Sequence, residues 1–566
     1  ADLTVRDGAV YVRTVSGLKR VDVLWRRLDG DFAAPLELNA SSRLGGPGLV
    51  QALREGGVTV ANGLGSGVVE SRALMSFMPA LARRILGEGL KLPNVATWWC
   101  GQARERGIVV DRLDSMAIAP AFGASFNGGA VRGGIGSELT AEERAALVSA
   151  IGARGMDFVG QEVVQLSTMP VWKDGALTPR PFVLRLYVAA VGDNDWTVMP
   201  GGFCRISDQA DARFVSLQQG ASAADVWVVS DRPVVETSLI SPPDMVRIRR
   251  TIGTLPSRAA DNLFWLARYL ERTEATLRLV RALLGRLVDT GGTDDSPVIH
   301  VLLALLQANG ALPETIDRGH ASRLVAAVLT DRELPGALPQ LVASARHARG
   351  AIRDRLAPDA FQVVTDLSDR IAALQGRRLS PAVAFDETNL ALRQVAAFAG
   401  LASENMNRLM GWRFLELGRR IERAAWTGRM TGRIWREGAS SALLDALLEL
   451  GDSQITYRAR YVAASSLLPV LDLMVLDDKN PRSVAFQTAR IVDHLATLPA
   501  TVVDGRPVPL LREALRLNGR LSTATVEDLT PDRLDHTVGE LFALSETVTS
   551  RFFTDRPNRD LPEDME

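Results

Sequence analysis

The hydrophobic repeat of this chain changes once, near residue 245, and that change constrains the fold more than any single motif. Before it, short apolar runs alternate with glycine-rich turns. After it, apolar residues recur every three to four positions almost to the end. Strand-length runs followed by helix-length runs predict an α+β front half and an all-α helical bundle behind it. At 566 residues the chain exceeds what one hydrophobic core serves, so the expected domains are 1–245 and 246–566.

In the front half, Leu3–Val15 reads as a hairpin with Arg6-Asp7-Gly8 at its turn, and Val21–Trp25 as a buried strand. Val58–Ala61 is a strand that enters Asn62-Gly63-Leu64-Gly65-Ser66-Gly67. A helix follows with Leu74, Met75, Met78, Leu81 and Ile85 on one face. Strand, glycine loop and helix in that order can aim backbone N–H groups at an anion. The spacing is not GxGxxG and no lysine follows, so a tight turn is the simpler reading. Ser115–Phe122 is an apolar strand that runs into the loop 123–129, with Gly123, Ser125 and Gly128, and then into Arg132-Gly133-Gly134. Such a loop is costly to order; it reads either as a cover over phosphates or as a surface hairpin. Phe158–Val164 is a strand carrying Gln161 and Glu162. Phe182–Ala190 is a long strand with Arg185 inside an apolar run, paired with Thr197–Met199 across the turn 192–195. Arg205 follows Pro200-Gly201-Gly202. A cation inside a buried strand needs an anionic partner, either a ligand phosphate or a carboxylate.

Composition removes several chemistries. All five histidines (His300, His320, His347, His494, His536) fall in the back half, so the front half has no Ser–His or Cys–His mechanism and no imidazole metal ligand. The two cysteines, Cys100 and Cys204, make neither a disulfide framework nor a cysteine-rich zinc site, and they suit a reducing cytoplasm. Lys19, Lys91, Lys173 and Lys479 are the lysines; the rest of the positive charge is arginine, a fixed charge whose planar fork matches phosphate and carboxylate. The net charge of −1 gives no overall pull toward nucleic acid or a membrane, and no run of eighteen apolar residues forms a span. No signal peptide is expected in this stretch, and a start at Ala1 rather than Met points to further chain upstream.

In the back half, Ser257 reads as an N-cap ahead of a long apolar face: Leu263, Leu266, Leu270, Leu277, Val280, Leu284 and Leu287. Further helices are expected at 296–308, 338–356, 361–374, 390–399, 405–435, 442–463, 481–498, 507–517 and 532–552. One segment echoes another. Leu266-Ala267-Arg268-Tyr269-Leu270-Glu271-Arg272 resembles Leu417-Gly418-Arg419-Arg420-Ile421-Glu422-Arg423. On two antiparallel helices these sets would gather two carboxylates and four guanidiniums, as a structural ion-pair network ahead of a binding site. A di-metal carboxylate site would need Glu-x-x-His pairs on facing helices, which the sequence lacks. Anion binding by these arginines, to RNA or a nucleotide, is a further reading, disfavoured by the near-neutral total charge.

Seven motifs of the front half, VDVLWRRLD, NGLGSGVVES, TWWCGQ, APAFGAS, VGQEVV, LSTMPVW with RPFVLRLYV, and MPGGFCRIS, stand in the order seen in circularly permuted type 2 ATP-grasp proteins. Residues 1–245 are similar to that family, of which glutathionylspermidine synthetase is a distant relative. The resemblance implies two α+β subdomains that clamp ATP with Mg²⁺, activate a carboxylate as an acyl phosphate and pass it to an amine. It assigns Gln161 and Glu162 to the adenine, the loop with Gly123, Ser125 and Gly128 to a lid over the phosphates, and Arg185 and Arg205 to the phosphates as catalytic cations. Three departures accompany it. Ala119 stands where family members often carry Lys or Arg, and Ala223-Ala224 stands where a Ser-Lys pair is common. The acidic segment that binds metal, upstream in the permuted order, is missing from this sequence, so a fragment, a subunit or a non-catalytic form is expected. SRAADNLFWLARYLERTE, WRFLELGRRIERA, ITYRARY and DDKNPRSVAFQ in the back half resemble the alpha-E domain, a common companion of the permuted ATP-grasp domain. The pairing implies a cytoplasmic ligase with small-molecule or peptide carboxylate and amine substrates. Its helical half would bind the acceptor, a carrier, a partner chain or a second copy. The alternative is a non-catalytic scaffold.

Overall fold

The computed structural model describes residues 2–122, 134–173, 175–192, 195–208, 222–231, 233, 254–289, 296–316 and 320–554. The chain forms two compact units. One holds Ala1–Asp22, Ala34–Thr59 and Arg250–Glu566; the other holds Val23–Ala33 and Val60–Arg249.

The first unit begins with the expected hairpin, strands Leu3–Arg6 and Ala9–Thr14. Asp7 and Gly8 both have positive φ, 48° and 72°; that is the turn whose twist matches paired strands. A third antiparallel strand, Gly17–Val21, completes a small sheet. Its inner edge joins the helical core: the Val15 N–H donates to the Leu255 carbonyl at 3.1 Å, and Val15 packs in the same apolar cluster as Phe264 and Leu266.

The helices of this unit follow the 3.6-residue apolar repeat. Ser257–Asp289 and Met410–Arg436 are the long central pair, and Pro531–Phe552 packs against the second. Around them lie Pro297–Ala308, Ala321–Thr330, Leu338–Gly350, Pro358–Ala373, Pro381–Asn405, Ser441–Leu450, Gln454–Tyr461, Val484–Leu495 and Pro509–Thr523. Ser257 is the first helical residue rather than the cap before it. The helix expected over 442–463 breaks at Gly451-Asp452-Ser453, where Asp452 takes a φ of 54°.

The central pair is parallel, not antiparallel as the echo suggested. Contacts climb both helices together: Leu263 meets Gly411, Phe264 meets Gly418, Arg268 meets Glu422 and Glu274 meets Arg423. The echoed motifs carry no information on direction. The segment of more than a hundred residues between them, itself several helices, sets it. Gly418 permits the close approach, since a Cβ there would lie 2.2 Å from the Phe264 carbonyl oxygen.

The second unit contains a four-stranded sheet in the order Thr97–Trp99, Phe158–Glu162, Met116–Pro120, Gly134–Ile135. Helices Ala103–Asp111 and Ala141–Arg154 contribute Val109, Leu147 and Ile151 to its core with Cys100, Met116 and Phe158. A reciprocal Thr140–Glu143 cap starts the second of these helices. A separate antiparallel sheet runs Thr168–Lys173, Ala176–Arg185, Gly202–Ile206, Ser222–Val226.

Three expectations for this unit change. Val23 and Trp25 are exposed, so that strand is not buried. The helix expected after the glycine loop is two short ones, Arg72–Met75 and Met78–Leu86, with Ile85 exposed. The strand expected over 182–190 is broken at Leu186-Tyr187 into Ala176–Arg185 and Val188–Gly192.

Candidate functional site

The residues singled out in the second unit lie on two sheets. Gln161 and Glu162 end the central strand Phe158–Glu162. Gln161 stands opposite Thr97 and donates to its Oγ1 at 3.1 Å, which fixes the amide half-buried at the strand end. Glu162 is exposed, and its backbone N–H donates to the Ala96 carbonyl at 3.0 Å. Gly123, Ser125 and Gly128 lie outside the described residues.

Arg185 and Arg205 come together on the other sheet. Arg185 pairs directly with Phe203, and Arg205 is two residues further along the same strand, so all three side chains share one face. The guanidinium carbons sit 5.8 and 5.9 Å from the Phe203 ring centroid. Arg185 is exposed, not the buried cation the sequence suggested, so burial does not oblige it to have an anionic partner. Arg205 is half-buried, and its Nε has no hydrogen-bond partner. Ala223 and Ala224 stand opposite Arg205 and Cys204 on the neighbouring strand, so they offer the arginines no polar group. The glycine loop 62–67 is not an anion cradle: its Asn62 and Gly63 carbonyls accept from Arg26 at 2.7 and 3.1 Å. Among the described residues no three His, Cys, Asp or Glu side chains are grouped to hold a metal ion.

The helical unit holds a denser arrangement, and the echoed motifs build it. Glu422 accepts from Arg268 at 2.7 Å and from Arg272 at 2.8 Å. Glu271 accepts from Arg419 at 3.1 Å and from Arg423 at 2.6 Å. The two sets are reciprocal: each motif's glutamate is held by the other motif's two arginines. Trp265 covers Arg268 at 4.6 Å. Burial by itself would raise the Glu422 pKa, but Arg268 and Arg272 outweigh it and hold the carboxyl below its usual range. Burial likewise lowers Arg423, and Glu271 and Glu274 outweigh it upward.

Glu274 sits at the centre of this network, and the sequence reading passed over it. It accepts from Arg278 at 2.8 Å, Arg482 at 2.7 Å and Arg423 at 3.3 Å. The signal was present: Glu274 is one turn past Glu271 and four residues before Arg278, on the same helical face. Arg482 reaches it because Asn480 shapes the loop ahead of Val484–Leu495. The Asn480 side chain donates to the Leu473 carbonyl at 2.8 Å and accepts from the Arg482 N–H at 3.0 Å. Beside the network, Glu416 accepts from Arg419 at 3.3 Å and Arg420 at 2.5 Å. Within the motif ITYRARY, Tyr457 ties a turn, donating to the Ala464 carbonyl and accepting from the Ser466 N–H, each at 3.1 Å. Arg460 pairs with Asp477 at 2.6 Å. A cavity of about 280 Å³ opens against the network, lined by Glu274, Arg278, Arg482 and Trp426 among others.

The sequence matches known proteins in both halves. Residues 1–207 match the family described as circularly permuted ATP-grasp type 2. Residues 255–553 match Alpha-E, described as a predicted alpha-helical domain with a conserved ER motif. Glu271-Arg272 and Glu422-Arg423 are the two Glu-Arg dipeptides in that segment. Uncharacterized proteins of Mycobacterium tuberculosis and Mycobacterium bovis are each 30% identical to the chain over 576 residues, covering 96% of it. The chain spans 63% of the length of these relatives. An uncharacterized protein of Synechocystis is 33% identical over 228 residues, 40% of this chain and 46% of its own. A strand-rich segment of permuted ATP-grasp type 2 followed by the reciprocal Glu-Arg helices makes this chain a member of the Alpha-E family, with the ATP-grasp segment fused ahead of the helical domain.

Proposed function

We propose that the chain is part of an ATP-dependent ligase that joins a carboxylate to an amine through an acyl phosphate. The observation that carries this reading is the face formed by Arg185, Phe203 and Arg205. It holds two guanidiniums with no acidic side chain at ion-pair distance among the described residues, although Asp225 stands opposite Phe203 on the same face, and one has a buried Nε lacking a partner. That is the chemistry a phosphate group completes. Bound ATP would supply the phosphoryl group that activates the acid. Arg185 and Arg205 would hold the phosphates, and their fixed charge would stabilise the extra negative charge as the phosphoryl group moves. The Gln161 amide, already oriented by Thr97, would face the adenine together with Glu162. Gly123, Ser125 and Gly128 would belong to the lid. The described residues of this chain do not fit Mg²⁺, because no cluster of acidic side chains is present among them, and no step is routed through the ion.

The substrates proposed are small-molecule or peptide acids and amines, with the domains divided near residue 245 as the sequence suggests. Two free, buried thiols, Cys100 and Cys204, suit the reducing cytoplasm. No helix among the described residues is long and apolar enough to cross a membrane. The test is calorimetric titration of the chain with ATP, with and without Mg²⁺. Arg185→Ala and Arg205→Ala are each expected to weaken binding about tenfold or more, the loss of a charge-assisted hydrogen bond. Absence of any nucleotide binding by the chain together with the upstream segment removes the reading.

A second reading, a non-catalytic scaffold, is favoured by Ala119 and Ala224 at positions where relatives of this type carry polar or basic groups. It predicts no nucleotide binding even when the acidic segment is supplied as a longer chain.

A further inference from the structure

We propose that the cavity beside the reciprocal ion pairs of the helical domain is a binding site for a small organic anion, one carboxylate or phosphate group on a compact, partly apolar body. The first ground is charge. Among the described residues five arginines and three glutamates line the cavity. Each of those glutamates is already held by at least two arginines. The lining therefore has more cation than its own acids neutralise.

The second ground is an orphaned donor. Arg278 is 9% exposed. Its Nε donates to Glu274 and its Nη2 to Asp452, yet its Nη1 is buried with no partner. A buried guanidinium N–H left unpaired costs free energy, and because Arg278 lines the cavity, a small shift of its guanidinium toward a bound oxyanion would recover it. Nearby, Arg429 has no acidic partner among the described residues; it makes a long contact, 3.4 Å, to the Asn309 side chain and lies 5.5 Å from the Phe542 ring centroid. Burial, with Arg423 and Arg278 close by, lowers the pKa of Arg482, as expected where positive charge is crowded.

The third ground is shape. Trp426, Met430 and Phe542 add apolar surface to the lining beside its arginines. A volume of about 280 Å³ suits a small molecule and excludes a nucleic-acid strand. Convergent polar groups beside apolar surface, with one donor unspent, describe a built site rather than a packing defect. This inference does not depend on the ligase reading, because the cavity lies wholly within the helical domain.

The experiment is thermal unfolding of the full chain at constant ionic strength in chloride, inorganic phosphate or succinate. Phosphate or succinate is expected to raise the unfolding temperature by about 2 °C or more over chloride, increasing with concentration. The anion that acts identifies the class. Arg278→Lys, which keeps the charge but removes the spare N–H, and Arg429→Met, at a half-buried position, are each expected to abolish the rise. Should Arg278→Lys fail to fold by circular dichroism, Arg429→Met alone carries the test. Arg84→Ala, an exposed position on a helix of the other unit, is expected to keep the rise. No stabilisation beyond chloride, a rise that survives in folded Arg278→Lys or Arg429→Met, or a rise lost in Arg84→Ala overturns the proposal.

Discussion

Arginine behaves differently in the two units. In the helical unit the guanidiniums of Arg268 and Arg423 are under a tenth exposed and meet carboxylates from a helix about 150 residues away. In the strand-rich unit, Arg185 and Arg205 meet an aromatic ring instead. There the large apolar side chains Trp172, Trp196 and Trp227 are the exposed ones. The contrast separates two uses of one residue. A paired guanidinium in a packed interior fixes how helices fit together, and taking away its partner is expensive. An unpaired one beside solvent contributes little to the fold and is free to bind.

The sharpest way to break this comparison is to remove one carboxylate. Glu422→Gln leaves Arg268 buried with half its partners gone, and is expected to cost about 3–5 kcal/mol in urea unfolding. Glu271→Gln should cost a similar amount, because the arrangement is reciprocal. Values under about 1 kcal/mol for both would move the network to the class of surface pairs.

His494 gives the next largest effect, and it depends on pH. Burial lowers its pKa to about 4; Arg420 and Arg413 push the same way, and Glu416 and Asp493 oppose them. The unfolded histidine takes its proton below about pH 6.5, while the folded one stays neutral to about 4. The unfolded state therefore binds more protons in that window, and stability falls as pH drops through it, by at most about 3 kcal/mol. His494→Gln should flatten the curve between pH 6.5 and 4. The carboxylates Glu416 and Glu422, held below their usual range, should give a separate loss beginning near pH 4.5 and lower.

Gly418→Ala tests whether close approach of the parallel helices matters. The new methyl group would strike the Phe264 carbonyl, with an expected cost of about 1–3 kcal/mol. The smallest stability effect belongs to the other unit. Arg185→Ala should change unfolding by no more than about 0.5 kcal/mol, while lowering ATP affinity. A large loss of stability there would show that the exposed arginine is structural after all.

Much of this was legible in the sequence. The change of period marked the helical half, and the echoed Arg-x-x-Glu-Arg sets named six members of the ion-pair network. Their direction was not legible, because a motif fixes which face of a helix is charged and not which way its partner runs. Glu274 was missed because it pairs with Arg482, a loop residue brought in by the Asn480 turn. In the front half the error lay in burial. The run around Arg185 is apolar enough for a core strand, yet Leu184 and Leu186 are each half exposed. Apolar character alone does not say which strands are covered. For the candidate site, the sequence named Arg185 and Arg205 but not Phe203, which holds them on one face. Tyr187 and Phe203 lie 6.4 Å apart, a long-range neighbourhood set by strand register.

The reciprocal pairing also has a cost in time. Glu271 depends on Arg423, 152 positions later, for a bidentate partner. At synthesis rates of roughly 5–20 residues per second, the first motif waits on the order of 8–30 s before its counterpart exists. Throughout that interval the nascent first helix carries an acid destined for burial while both of its arginine partners, Arg419 and Arg423, are still unmade. Burial of that acid must therefore follow synthesis of the second motif, and substitutions there are expected to be felt first as lost yield.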